Sequence, residues 1–504
     1  MVSNARRIAR NSAMMYVRMF VTMLISLYTS RVVLQTLGVE DYGTYCLVGS
    51  IVALFSSLRT LFASSTQRFL NFEMGRCNYE KLQGIFNMSL MVNFIIAIVF
   101  IVAVEIVGVW FLNYKINIDP SRIDAAKIVF QSSVVTATLS LLTTAYDAVL
   151  ISHERLNIYA IFSMAESLLK LGVVLLLPFL HFDKLISYSI MLVIVACVIR
   201  LMNVLYCKLN FQECKFSFEW DSNRFKEMTS FAWWNFLGNT AYSLTHNGIG
   251  MVMNVFGGTL VNAANGIAYN INSIAEQFIN NIVVVINPYT IKTYSNGEHE
   301  KFYRIIFASS KILFSVQICL TLPIVFMTYR LLSLWLGEVP QYSVIFVQLL
   351  LVNTQIRSLH QSLDTIFKSL GRLREYQLIE NIILSMSLFL SYVFLKGGAP
   401  YYTVFLAIII VNVFAMICVI LLANKIAHLP LWLYIKNVIF PCLFCLIASG
   451  FLYYLKSCLN INNILDEILY TLVSLCIVQC CMLLYGFSKA DRMYLWRLIK
   501  KKKN

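Results

Sequence analysis

Long apolar segments separated by short polar stretches follow one another between residues 12 and 487. Each segment has about 20 residues or more, so that as a helix it can cross a hydrocarbon core of about 30 Å. The pattern predicts an all-α polytopic membrane protein with about 14 transmembrane helices. The predicted spans are 12–35, 43–65, 86–112, 126–150, 156–180, 185–207, 230–256, 266–289, 304–328, 341–367, 376–395, 401–424, 431–455 and 466–487.

Basic residues between these spans lie mostly on one side of the membrane. With fourteen spans, 25 Lys or Arg residues fall on the side of both termini and 7 on the other side. Cytoplasmic loops carry the excess of Lys and Arg, so both termini are predicted to be cytoplasmic. The net charge of +15 is therefore mainly an orientation signal, and no nucleic-acid motif accompanies it. The basic tail, 491–504, is expected to lie on anionic membrane lipids.

Two parts of the chain repeat each other about 220 residues apart. The segment 147–159 matches 364–376 at Asp, Ser, Arg, Leu and Tyr, and the segment starting at Glu80 resembles that starting at Glu300. Two related membrane bundles in one chain are typical of a transporter. We predict an N-terminal six-helix lobe (1–208), a cytoplasmic linker (209–229), a C-terminal six-helix lobe (230–428) and two extra helices with the basic tail (429–504). Six spans per lobe make the repeat parallel, about an axis along the membrane normal.

Two arginines fall inside predicted spans of the first lobe, where a charge costs about 2.5–3.5 kcal/mol. Arg18 and Arg59 lie at similar depth on adjacent helices, and Thr22, Ser26 and Thr29 continue a polar stripe from Arg18. Snorkelling to the inner headgroups is one interpretation. The other, which we favour, is a cavity that binds an anion, because the planar guanidinium suits phosphate.

The second lobe shows a different polar lining. Two helix faces carry amide, phenol and carboxylate groups that suit a hydroxyl-rich ligand, and the alternative is hydrogen bonding between helices. The candidate glycan-binding residues are Asn235, Asn239, Tyr242, Tyr269, Asn272 and Glu276. Glu276 and Glu380 are also candidates for proton coupling, since burial raises a carboxyl pKa. Glu166 and Lys170 are predicted to form an i,i+4 ion pair.

Composition favours a membrane protein, and the motif content argues against an enzyme. Hydrophobic residues make up 59% of the chain and charged residues 13%, against about 25% in soluble proteins. The chain has no P-loop, paired metal ligands, nucleophile elbow or large acidic loop, and its thirteen cysteines show no metal-binding spacing. We therefore expect a non-enzyme without cofactor or metal site.

Three segments of the first half resemble a known family. Residues 30–45 (SRVVLQTLGVEDYGTY), 65–75 (STQRFLNFEMG) and 146–160 (YDAVLISHERLNIYA) are similar to the O-antigen and capsule flippases of the multidrug/oligosaccharidyl-lipid/polysaccharide exporter superfamily. The resemblance is strong over the first half and weak over the second. It implies two six-helix lobes around a central cavity plus two extra helices. Cationic cavity residues are a family feature, which Arg18 and Arg59 match.

The resemblance further implies a bacterial inner-membrane flippase. Such a protein moves polyprenyl-diphosphate-linked oligosaccharide to the periplasmic leaflet by alternating access, for O-antigen, capsule or exopolysaccharide synthesis. Its expected partners are the lipid-linked substrate and the polysaccharide polymerase and chain-length machinery. The alternatives are a multidrug/cation antiporter of the same fold, a peptidoglycan lipid flippase, and a non-transporting membrane scaffold of a polysaccharide assembly complex.

Overall fold

The computed structural model describes residues 2–54, 66–67, 69–70, 74, 79–153, 155–215, 217, 221–370, 372–459, 461 and 463–487. Almost all of these residues are helical, and no strand occurs among them. The predicted all-α membrane class is confirmed. The chain divides into two compact units, residues 1–263 and 264–504.

The first unit consists of long helices joined by short turns. Its helices are α1 (Val2–Leu37), α2 (Val39–Ala53), α3 (Tyr79–Tyr114), α4 (Ile123–Leu142), α5 (Thr144–Ser152), α6 (Leu156–Leu176), α7 (Lys184–Asn210) and the first part of α8 (Ser222–Ser295). Short 3₁₀ turns lie at Pro120–Arg122, Leu177–Phe179 and Gln212–Cys214. The α8 backbone is non-helical at Gly258, where φ is 69°, a value that glycine adopts without a Cβ penalty.

The second unit contains the rest of α8 and nine further helices. These are α9 (His299–Phe326), α10 (Thr328–Leu336), α11 (Ser343–His360), α12 (Asp364–Leu370), α13 (Leu373–Lys396), α14 (Thr403–Ala427), α15 (Leu431–Tyr434), α16 (Phe440–Cys458) and α17 (Ile464–Cys481). A 3₁₀ turn at Gln361–Leu363 joins α11 to α12, and π turns occupy Ile435–Ile439 and Met482–Gly486.

Ten helical segments in the described part of the chain are long and apolar enough to cross a membrane. Each corresponds to one predicted span. Spans 43–65, 230–256, 266–289 and 341–367 are not among the ten: the first continues into residues outside the description, and the others lie in α8 and in α11 with α12. Spans 266–289 and 341–367 have a lower hydropathy because they carry polar side chains, which pair with each other inside the protein. The count of fourteen stays a prediction.

The sequence repeat is visible as a repeated helix break. In the first unit α5 ends at Ser152 and α6 begins at Leu156. In the second, α12 ends at Leu370 and α13 begins at Leu373. The Arg155 amide donates to the carbonyl of Leu150 (2.9 Å), and the Arg372 amide donates to that of Phe367 (3.0 Å). These bonds are equivalent at an offset of 217 residues, so the predicted match corresponds to the same main-chain hydrogen bond in both units.

A charged triad fastens three helix starts of the first unit. The Arg122 guanidinium donates to Asp41 at the start of α2 (Nε–Oδ1 2.8 Å) and to Asp183 before α7 (Nη1–Oδ2 2.5 Å). Burial raises the pKa of the Asp183 carboxyl, but the hydrogen bonds from Arg122 and the Ile186 amide, together with the charge of Arg122, outweigh burial and hold the pKa below its usual value. The triad thus adds charged hydrogen bonds between the starts of α2, α4 and α7.

The opposite end of the first unit holds the start of the predicted linker. The side chain of Glu213 is 9% exposed and forms a hydrogen bond with His153 Nε2. Asn87 donates to the Ser217 hydroxyl at 2.8 Å. Burial raises the pKa of Glu213, but the interactions with His153 and a backbone hydrogen bond together lower it by more, so that the pKa lies below its usual value. Glu213 is thus bound to the turn after α5, and Ser217 is bound to α3.

Candidate functional site

Arg18 lies in α1 and faces the ring of Tyr159 in α6. Its guanidinium carbon is 5.1 Å from the ring centroid, within cation–π distance. Its Nε is buried and has no hydrogen-bond partner among the described residues. No ion pair joins Arg18 to a carboxylate within the same part of the chain. Arg18 therefore combines a guanidinium that lies over an aromatic ring with a buried Nε donor that no group of the described residues uses.

Arg59, the second predicted cation, lies outside the described residues. The polar stripe that starts at Arg18 is partly used within α1, where the Thr22 hydroxyl donates to the Arg18 carbonyl at 2.8 Å. Thr29 has a buried hydroxyl with no partner in the described chain. The stripe keeps hydrogen-bonding capacity in its outer half.

Four polar residues line one face of α6. Tyr159, Ser163, Glu166 and Lys170 follow one another at i, i+4, i+7 and i+11. Lys170 Nζ lies 2.7 Å from Glu166 Oε1, which confirms the predicted pair. On this face Tyr159 contacts Arg18 of α1 near the start of α6, and the ion pair lies further along the helix.

A third charge joins this pair from the neighbouring helix. Arg200 of α7 lies 3.2 Å from Glu166 Oε2 and 3.7 Å from Asp147 of α5. Asn203 donates to Asp147 at 2.7 Å. The network of Asp147, Glu166, Lys170 and Arg200 thus ties α5, α6 and α7 together, in a region where the bilayer offers no water to solvate charge.

Arg200 is not among the residues predicted from the sequence, although the sequence contains a signal for it. It is the one charged residue in the predicted span 185–207. A lone arginine in an apolar span requires a partner, and here that partner lies 34 positions away.

In the second unit, α8 meets α11, the 3₁₀ turn that follows it and the start of α12 along a row of polar pairs, which we name the α8–α11 seam. Glu276 lies 3.1 Å from Arg357, and Asn280 accepts from Gln361 at 2.8 Å. The seam consists of the pairs Asn272–Thr354, Glu276–Arg357, Asn280–Gln361 and Asn287–Thr365. Hydrogen bonds between helices account for much of the polarity of spans 266–289 and 341–367.

The predicted glycan-binding residues take different positions relative to this seam. Asn272 is 3% exposed and its amide also donates to Glu276 at 3.1 Å. Tyr269 is half-buried one turn earlier on α8. Asn235, Asn239 and Tyr242 lie within helix α8, but their side chains are outside the described part of the chain. The structure therefore brings together Tyr269, Asn272 and Glu276 only.

Both candidate proton carriers have charged or ionisable neighbours. Glu276 contacts Arg357, as described above. Glu380 of α13 lies 3.8 Å from Nε2 of His360, a residue that is 3% exposed. Proton coupling through Glu276 or Glu380 stays a prediction.

Comparison with known proteins gives a fold but no sequence relative. No protein-family model and no curated protein matches the chain. Among solved structures, an inward-facing multidrug resistance MATE family transporter of the MOP superfamily is 16% identical, covers 82% of this chain and 98% of its own, and has a TM-score of 0.68. The lipid II flippase MurJ, in an inward closed conformation, is 11% identical, covers 93% and 98%, and has a TM-score of 0.67.

A MOP superfamily transporter from Pyrococcus furiosus, described as having a binding pocket of reverse polarity, is also similar. It is 17% identical over 85% of this chain and 96% of its own, with a TM-score of 0.60. Identities this low establish the fold alone. The chain is thus a multi-pass helical membrane protein with the fold of the MOP superfamily transporters.

Proposed function

We propose that the protein is a flippase for polyprenyl-diphosphate-linked oligosaccharide, acting between the cytoplasmic and periplasmic leaflets of a bacterial inner membrane in surface polysaccharide synthesis. The observation that carries the proposal is Arg18, a cation placed within a membrane helix against Tyr159, with no carboxylate paired to it among the described residues. A diphosphate would supply the negative charge and the acceptor oxygens with which such a guanidinium pairs. We also propose that the protein is not an enzyme.

A further observation supports a lipid-linked anion over a cationic drug. Glu166 and Asp147, two carboxylates inside the first unit, are paired with Lys170 and Arg200, which leaves less negative charge for a cation. A peptidoglycan lipid would carry the same diphosphate and is the nearest alternative.

The test is transport by the purified protein in liposomes. A fluorescent polyprenyl-diphosphate oligosaccharide is placed in both leaflets, and a membrane-impermeant quencher reports the rate at which inner-leaflet lipid reaches the outside. We expect flipping that empty liposomes lack. Flipping of lipid II alone would assign the peptidoglycan lipid, transport of an organic cation alone would assign the antiporter, and no transport of any of the three would favour the scaffold.

Membrane orientation gives an independent prediction. Reporter tags at the two termini and near Ser222 should all signal from the cytoplasm, because basic residues favour that side by 25 to 7. A tag in the 115–119 loop, which follows α3, should signal from the opposite side. A periplasmic signal from either terminus would contradict the fourteen-span topology.

The two halves are proposed to bind different parts of the substrate, the first the diphosphate and the second the sugars. Hydroxyl hydrogen bonds depend on the sugar, whereas charge attraction is common to all diphosphate-linked lipids. In a host complemented with two oligosaccharide pathways, Asn239→Ala should change the ratio of exported glycans. Asn272→Ala is the comparison, since this amide also bonds within the seam and its loss should lower stability by about 1–3 kcal/mol. An unchanged ratio for Asn239→Ala, Tyr242→Phe and Tyr269→Phe would refute the division.

A further inference from the structure

The carboxylate of Glu166 is held between two cations from two helices. Its Oε1 lies 2.7 Å from Lys170 Nζ and its Oε2 lies 3.2 Å from the Arg200 guanidinium. The two oxygens of one small anion thus bind an ammonium and a planar guanidinium at the same time. A phosphate group has the same charge-assisted hydrogen-bonding chemistry and equivalent reach.

The fold does not need these charges at this place. At the repeat offset of 217 residues, Glu166, Lys170 and Arg200 correspond to Ile383, Ser387 and Ile417 of the second unit. Helices α13 and α14, which carry these three residues, pack against each other as α6 and α7 do. The same helix pair therefore forms with an isoleucine in place of the carboxylate, and replacing buried ion pairs by apolar residues is often neutral for stability.

The charged group lies further along the helix face that begins at Arg18. Tyr159, against which Arg18 stacks, and Lys170 share that face and are separated by eleven residues, or about 16 Å along the axis. Glu166 and Arg200 are each ten residues from the cytoplasmic ends of α6 and α7, which places them about 15 Å into the membrane. The Lys170 side chain is 41% exposed, so its ammonium is accessible from this face.

We propose that Lys170 and Arg200 form a second diphosphate-binding site, outward of Arg18, in which the Glu166 carboxylate holds the place of the ligand while the site is empty. This inference rests on the proposed function and adds a second binding site to it. The incoming diphosphate displaces Glu166 and binds Lys170 and the near edge of the Arg200 guanidinium. Glu166 returns when the ligand leaves.

Each charged partner has a defined part in this exchange. Glu166 neutralises two cations that would otherwise face hydrocarbon, where an uncompensated buried charge is costly. Asp147 stays 3.7 Å from Arg200 and keeps that guanidinium oriented when Glu166 moves away. Because Glu166 competes with the ligand for the same donors, it weakens binding and speeds release.

The Glu166→Gln variant tests the exchange, since glutamine keeps the shape but cannot neutralise the cations. Affinity of the purified protein for geranyl diphosphate, measured by titration calorimetry, should rise by about tenfold, the effect of roughly 1.4 kcal/mol. Flipping at saturating substrate should slow by a similar factor because release is impeded. Lys170→Met should weaken binding by about tenfold, and Lys170→Arg should largely restore it. The matched control is Glu105→Gln, a membrane-helix carboxylate that bonds to Gln131 and faces no cation within the described chain.

Equal or weaker affinity of Glu166→Gln would overturn the inference, as would unchanged affinity of Lys170→Met. If Glu166→Gln does not fold, the Glu166→Gln/Lys170→Met pair removes both charges, and it should bind as weakly as Lys170→Met alone. Geranyl diphosphate binding that Arg18→Ala abolishes but Lys170→Met leaves intact would keep the proposed function and reject the second site. No binding by the wild-type protein would reject both.

Discussion

Replacement of Arg18 by alanine is expected to abolish export while the protein remains in the membrane at its normal level. Alanine removes the guanidinium that faces Tyr159 and leaves the diphosphate without its inner cation. Hydrogen bonds to charged groups contribute about 1.5–3 kcal/mol, so transport should fall by roughly ten- to more than a hundredfold. The measurement is surface polysaccharide in a complemented deletion strain, together with the flipping rate in liposomes.

Conservative variants separate charge from packing at this position. Arg18→Lys keeps the charge but loses the planar fork and the stacking on Tyr159, so it should restore transport only in part. Arg304→Ala is the arginine control, because Arg304 is exposed and pairs with Glu300 within one helix turn. Normal export by an Arg18→Ala/Arg59→Ala protein would show that both arginines only snorkel to the headgroups.

Gly43→Ala is expected to destabilise the first unit strongly, since α2 and α8 touch backbone to backbone at this residue. A Cβ at position 43 would lie 2.0 Å from the carbonyl oxygen of Thr259 and 2.7 Å from its carbon. Backbone atoms cannot avoid the clash by a change of rotamer, as a side chain can, so the two helices must separate. Overpacking of this kind costs about 1–3 kcal/mol or more, and the melting temperature in detergent should fall clearly.

Gly49 offers a control on the same helix. A Cβ there meets no atom within 4 Å, so Gly49→Ala adds helix propensity and should raise stability by up to about 1 kcal/mol. The two variants differ only in their surroundings, which removes propensity from the comparison. A Gly43→Ala protein as stable as Gly49→Ala would mean that α2 and α8 do not make this contact.

Local patterns predicted the helices and the nearest contacts, because both depend on residues close in sequence. Apolar length marked the spans, and the i,i+4 spacing of Glu166 and Lys170 gave their ion pair. The Asp–Ser–Arg–Leu–Tyr repeat marked the helix break at Arg155 and Arg372. The physical cause is simple: hydrocarbon requires backbone hydrogen bonds within each segment, which makes helices the default.

Contacts between distant segments were not predictable in this way. Arg200 of α7 pairs with Glu166 of α6, the preceding helix. Asn272 pairs with Thr354, which is 82 positions away. Polarity of a span indicates that a partner exists but does not say which residue it is. The approach of Gly43 to Thr259 leaves no hydropathy signal at all, since a glycine in an apolar helix is compatible with many packings.

The paired helix breaks also bear on how the two halves came to differ. Each break is held by a main-chain amide donating to a main-chain carbonyl, at Arg155 and at Arg372. Any residue except proline can make that bond. After a duplication, mutations in the flanking side chains would therefore have left the bend intact in both copies. Selection could then retain charges such as Glu166 in one copy and isoleucine in the other, so that the two copies of one ancestral bundle diverged in their polar groups while keeping a common bend.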